Sequence, residues 1–110
     1  MKVTNQTRGT VVADQVYEAR GLIERAFGLL NPKLPRFLFI RTRLGIHTFG
    51  LSAAIDVVIM NDSGQIVAMT EILKPWRVYL WNPKYDRVLE LPSGAIKASK
   101  SRVGDTLVLE

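Results

Sequence analysis

The chain has 110 residues, 47% of them apolar and 23% charged, which suits one packed domain spanning 1–110. It contains no cysteine and one histidine, so a disulfide framework, a zinc ribbon and thiol catalysis are excluded. The net charge of +5 points to an acidic partner.

In chain order, Val3 begins a short extended segment, and Thr10 to Val12 with Val16 to Glu18 reads as a second, interrupted at Asp14. Between about 20 and 30 the period changes. Leu22, Ile23, Ala26, Phe27, Leu29 and Leu30 form an apolar stripe at helical spacing, and Asn31-Pro32 ends it. From Phe37 to Arg43 side chains alternate with period two, as on a strand. Ile55 to Met60 is almost continuously apolar, which is expected of a strand covered on both faces. Asn61-Asp62-Ser63-Gly64 is a hairpin signal leading to the return strand Ile66 to Leu73. Pro75 breaks the pattern, Val78 to Trp81 resumes it, and Asn82-Pro83 turns it again. Val88 to Leu91 is the next strand, followed by one helical turn at Ala95 to Ser99 and a last strand at Leu107 to Leu109. The expected class is α+β and mostly β. It comprises a partly closed, barrel-like mixed sheet of about six or more short strands with one covering helix at about residues 20–30.

Charge is concentrated in two windows. Ala26 to Ile55 carries Lys33, Arg36, Arg41 and Arg43 with no acid, and Lys74 to Arg87 sums to +3. The polar start MKVTNQTRGT lacks the apolar stretch of a signal peptide, and FLFI and VVIM are far shorter than the ~20 residues of a membrane span. A cytoplasmic location without membrane contact is therefore expected.

A colinear series of motifs carries a resemblance. Arg25-Ala26-Phe27-Gly28-Leu29-Leu30 is followed by Ile46-His47-Thr48-Phe49, Ile55-Asp56-Val57-Val58 and Asn61-Asp62-Ser63-Gly64. Pro75-Trp76-Arg77, Leu89-Glu90-Leu91-Pro92-Ser93-Gly94 and Val103-Gly104-Asp105 complete it. In order and spacing this series resembles the uncharacterised bacterial and archaeal family called domain of unknown function 192, from about residue 3 to the end. The resemblance implies a small β-rich domain with one helix and brings no reaction. Members of that family often carry a cysteine four residues before the histidine and a serine two before it, where this chain has Arg43 and Gly45. A Met-Arg-Phe-Pro-like stretch often precedes the Ile-Asp pair, where this chain has Leu51-Ser52-Ala53-Ala54. An activity that used that thiol or arginine would be lost here.

Four residues stand out as candidate ligand contacts: His47, Asp56, Trp76 and Arg77, polar or aromatic positions within core-like strands. His47 reads either as a ring packed on Phe49 or as a general base oriented by Asp56, which gives a hydrolase-like alternative. That alternative has no nucleophile in a G-x-S-x-G elbow, and no catalytic residue is assigned. Asp56 opens an apolar strand, so it needs donors. They are expected from the Leu51 to Ala54 loop, from His47 or from an arginine, making Asp56 a buried polar pin. A second candidate is a basic patch of Arg36, Arg41, Arg43, Lys74, Lys84 and Arg87. Lys74, Arg77, Lys84 and Arg87 interleave with Trp76, Tyr79, Trp81 and Tyr85, which suits single-stranded nucleic acid, although aromatic rows also serve cross-strand packing. Arg36, Arg41 and Arg43 flank Phe37 and Phe39 and read as holding a phosphate or carboxylate ligand or as a charged strand edge. Val103-Gly104-Asp105 is a turn in which Asp105 bonds local backbone, with no chemistry assigned. With one histidine and scattered acids, neither a metal nor a cofactor is expected. The residues favour a non-catalytic binding or accessory module for a protein or a small anionic ligand.

Overall fold

The computed structural model describes residues 1–18, 37–43 and 45–110. The helix expected at about 20–30, and Arg36 with it, lie outside the described residues. Among the described residues, ten strands and one short helix follow in chain order: β1 (Val3–Asn5), β2 (Thr10–Ala13), β3 (Tyr17–Glu18), β4 (Leu38–Arg41), β5 (Ile46–His47), β6 (Ile55–Met60), β7 (Ile66–Leu73), β8 (Val78–Tyr79), β9 (Arg87–Pro92), α1 (Ala95–Ser99) and β10 (Leu107–Leu109). The class is α+β and mainly sheet.

The strands divide among three sheets: β10-β1-β2, the mixed five-stranded β3-β4-β9-β6-β7, and a two-stranded ribbon β5-β8. Among the described residues no barrel closes. The reason lies in β6, every residue of which is buried. Val58 and Met60 enter one core with Val3, Val12, Leu89 and Ile96. Ile55, Val57 and Ile59 enter a second with Leu38, Ile40, Ile46 and Val88. A sheet covered on both faces by separate apolar layers stacks between them instead of curling around one hollow.

The 61–64 turn joins β6 to β7 as the sequence suggests. Asn61 Oδ1 accepts the N–H groups of Ser63 and Gln65 at 3.0 and 2.9 Å. Gly64 adopts φ +84°, and any Cβ there would strike the Leu107 carbonyl, so this turn packs against β10 only with glycine.

A buried polar network ties the chain ends together. Asn5 Nδ2 donates to Ser101 Oγ and to Asp105 Oδ2, both at 3.0 Å. Arg8 grips the same carboxylate through Nε at 2.9 Å and Nη2 at 3.2 Å. Asp105 also accepts the Arg102 N–H at 3.0 Å, the local backbone contact expected of it. The Arg8 hydrogen bond is the leading cause that lowers the Asp105 carboxyl to about 2.

Candidate functional site

The ribbon β5-β8 lies over the second core, into which Ile46 and Tyr79 pack. Gly45 makes the ribbon possible: it sits at φ +88°, and a Cβ would lie 2.9 Å from the Tyr79 carbonyl oxygen and collide with Leu80. Just beyond β5, Thr48 is fully buried and organises the next loop. Its Oγ1 donates to the Lys74 carbonyl at 2.7 Å and accepts the Arg77 N–H at 2.8 Å. Its carbonyl accepts the Trp76 N–H at 3.1 Å, and its own N–H donates to the Arg77 carbonyl at 2.9 Å.

These bonds hold Trp76 at φ +61°, a left-handed conformation that costs a residue with a Cβ roughly 1–2 kcal/mol. The indole that results is 67% exposed. It stacks on Phe49 with ring centroids 5.7 Å apart, and Phe49 stacks on His47 at 4.8 Å. Three rings thus form one column on the surface. His47 Nδ1 accepts the Phe49 N–H at 3.3 Å, which orients the imidazole from within the column. Arg77 lies beside it, exposed, its Nη1 folded back towards the Pro75 and Trp76 carbonyls at 3.4 and 3.5 Å.

Three of the four candidate ligand residues, His47, Trp76 and Arg77, therefore meet. Asp56 does not join them. By alternation it shares the β6 face of Val58 and Met60, the side of the sheet away from the ribbon. Its donors also differ from those expected. Oδ1 accepts the Ile72 N–H at 2.9 Å, and Oδ2 accepts those of Gly94 and Ile96 at 3.1 and 3.0 Å. Asp56 is the buried pin the sequence suggests, but it serves β7 and the first turn of α1 rather than the 51–54 loop, His47 or an arginine. Gly94 provides no side-chain cap to α1, so a carboxylate from β6 satisfies two N–H groups of that turn across space. The His47–Asp56 dyad of the hydrolase-like alternative is accordingly not formed.

The pin has a consequence on the surface. Ile72, held by Asp56, adopts φ +56°, an outlier for a β-branched side chain, and is 60% exposed. Val78 and Leu80 are also exposed. Ile72, Trp76, Val78, Leu80 and Phe49 give the ribbon and the end of β7 five large exposed apolar side chains.

The basic candidates separate into parts. Arg41 and Arg43 both reach Asp86, at 3.2 and 3.8 Å, and Arg43 Nη1 donates to the Pro83 and Lys84 carbonyls at 2.9 and 2.8 Å. Lys84 lies over the Tyr85 ring, 5.8 Å from its centroid, and Arg87 reaches Asp62 at 3.7 Å. Lys74 belongs with the ring column through Thr48. Trp81 is no stacking platform: it packs on the second core and donates through Nε1 to the Tyr85 carbonyl at 2.8 Å. Burial pushes the neighbouring Tyr79 phenol up.

Sequence reasoning missed Glu90, a carboxylate at 1% exposure on the β9 face that carries Val88. Its signal was a charge in the middle of the apolar run Val88 to Leu91. It also missed Thr48, whose burial depends on the ribbon closing over it. No helix among the described residues is long and apolar enough to cross a membrane.

Comparison with known proteins supplies the context. The family model described as Uncharacterized ACR, COG1430 (DUF192) matches residues 3–109. The chain is 34% identical to UPF0127 protein PF1050 of Pyrococcus furiosus, over 94% of this chain and 93% of that one. It is 29% identical to UPF0127 protein PH1112 of Pyrococcus horikoshii, over 96% of each. Among solved structures, a protein of Sinorhizobium meliloti 1021 provisionally named a transcription regulator superposes with TM-score 0.75 at 17% identity, covering 97% of this chain and 89% of that one. A protein of unknown function from Novosphingobium aromaticivorans DSM 12444 superposes with TM-score 0.74 at 15% identity, covering 98% and 82%. Both likenesses concern the fold.

Proposed function

The chain belongs to the uncharacterised DUF192 family, and within it we propose that this protein is a non-catalytic binding module that docks a partner protein on the His47–Phe49–Trp76 column. The observation that carries the reading is Trp76 itself: a large aromatic side chain, 67% exposed, on a left-handed backbone held by four hydrogen bonds to and around Thr48. Strain maintained by a buried support, with the strained side chain facing solvent, is the pattern of a functional surface. Exposed tryptophan flanked by smaller apolar groups is also the composition of an interface hot spot.

Arg77 lies beside the column and Lys74 precedes Trp76 by two residues, its carbonyl bonded to Thr48, so the complementary partner is an acidic segment bearing apolar side chains. Catalysis is disfavoured because, among the described residues, no hydroxyl hydrogen-bonds His47, and Asp56 is engaged on the other side of the sheet. Single-stranded nucleic acid is the second reading, favoured by the stacked rings and by the name given to the Sinorhizobium protein. Against it, Asp86 offsets Arg41 and Arg43, and Trp81 is packed away, which leaves Trp76 as the one exposed tryptophan.

The test is a photo-reactive residue placed at Val78 in cells, with Val11, exposed on β2, as the control position. The expected result is one discrete protein adduct at 78, absent at 11 and abolished by Trp76→Ala. Equal adducts at both positions, or adducts insensitive to Trp76→Ala, would overturn the reading. RNA or DNA adducts at 78 would replace it with the second.

A further inference from the structure

A second feature lies apart from the ring column, on the side of α1. A cleft of about 450 Å³ opens between the end of α1, the loop after it and β7. Its rim carries Arg8, Lys97, Lys100 and Arg102, against one acid, Glu71. Its floor includes Met69 and Ile96, and Ser101 forms part of the wall. We infer that this cleft binds a small phosphate-bearing molecule with an apolar or aromatic body.

Arg8 is already balanced by Asp105, so Lys97, Lys100 and Arg102 leave this small volume with more positive charge than Glu71 offsets, an excess that a bound anion relieves. Among the described residues Lys97, Lys100 and Arg102 form no ion pair, so their charge is available. Arg8 is fixed rather than free. Its Nε and Nη2 hold Asp105, and among the described residues Nη1 makes no hydrogen bond, which leaves it to face an anion.

The wall is also rigid. Ser101 Oγ is buried and bonded to Ser99 Oγ at 2.7 Å and to Asn5 Nδ2 at 3.0 Å. The Arg102 N–H is held by Asp105 at 3.0 Å. Lys100 stands at φ +58°, which turns the chain out of the helix and brings Arg102 round to the rim beside Lys97. Phosphate chemistry matches the cations, the apolar floor at Met69 and Ile96 matches a nonpolar body, and Glu71 can accept from a ligand hydroxyl or amine. The volume falls within the ~300–1,000 Å³ of small-molecule sites, which favours a compact molecule over a nucleic-acid strand.

The experiment is an amide NMR titration of the full chain with adenosine monophosphate as the probe, with adenosine and inorganic phosphate in separate arms. The expected result is saturable shifts confined to Arg8, Met69, Glu71 and residues 96–102, with Kd about 1 mM or tighter. Inorganic phosphate should move the same amides more weakly, and adenosine should move none. Lys97→Gln with Arg102→Gln, both exposed positions, should weaken binding by about tenfold or more. Trp76→Ala should leave it unchanged, which separates this site from the ring column. Shifts that do not saturate, that scatter over the basic surface, or that adenosine reproduces would overturn the inference. So would a single-stranded oligonucleotide whose shifts extend from this cleft to Arg41 and Arg43.

Discussion

Asp56 Oδ1 accepts the Ile72 N–H at 2.9 Å, and Ile72 stands at φ +56° with its side chain in solvent. A fully buried carboxylate on one face of the sheet thus maintains a strained, exposed apolar residue at the end of β7. Thr48 does the same for Trp76 from beneath the ribbon. Two buried polar groups thus set the shape of one exposed apolar surface.

Replacing Asp56 with asparagine tests the first support. The side chain keeps its size but loses one acceptor oxygen, and its NH₂ then faces the Ile72 N–H. With its oxygen turned to the Gly94 and Ile96 N–H groups, Asp56→Asn should cost about 1–3 kcal/mol, the buried Ile72 N–H being left unpaired. Chemical denaturation measures it, and hydrogen exchange at Ile72 should accelerate beyond the global effect. A loss under about 0.5 kcal/mol, the scatter of ordinary surface changes, would contradict the role.

Thr48→Val tests the second. Valine fills the same space but orphans the Lys74 carbonyl and the Arg77 N–H. The expected cost is about 1–3 kcal/mol. Trp76 fluorescence anisotropy should fall as the indole loses its fixed position, and stability loss without that fall would contradict the account.

The Arg8–Asp105 pair dictates the acid limb of stability. The Asp105 carboxyl titrates at about 2 in the fold, below the ordinary 3.8, because Arg8 favours its ionised form. A depressed carboxylate contributes stability that is complete above the unfolded value and disappears as pH falls through the folded one. Thermal midpoints should therefore hold steady above about pH 5 and decline between about pH 4 and pH 2. Asp105→Asn should lower stability at neutral pH and flatten that decline, and an acid limb of unchanged shape in this variant would contradict the assignment.

Much of the fold was legible because apolar alternation and turn residues are local signals. The continuous run Ile55 to Met60 announced a strand buried on both faces, and it is one. The same run could not announce three sheets, because stacking depends on which distant layers cover each face. Asp56 was legible as a pin, since a carboxylate in an apolar strand must be bonded. Its donors lie 16 to 40 residues ahead in sequence and are set by packing. Alternation grouped Arg77, Tyr79 and Trp81 on one face, but Trp76 just before them turns left-handed. That kink sends Trp76 to solvent, whereas Trp81 is half-buried against the second core. The Asn5–Asp105 bond, between residues 100 apart, leaves no trace in either local segment.

The most direct measurement compares stability and docking in Trp76→Gly. Glycine adopts φ +61° without the Cβ penalty, and an indole that is 67% exposed gives up little packing. Stability should stay level or rise by up to about 1 kcal/mol, while the Val78 cross-link to the partner disappears. A cross-link that survives, or a stability loss beyond about 1 kcal/mol, would show that Trp76 is there to hold the fold and not to meet a partner.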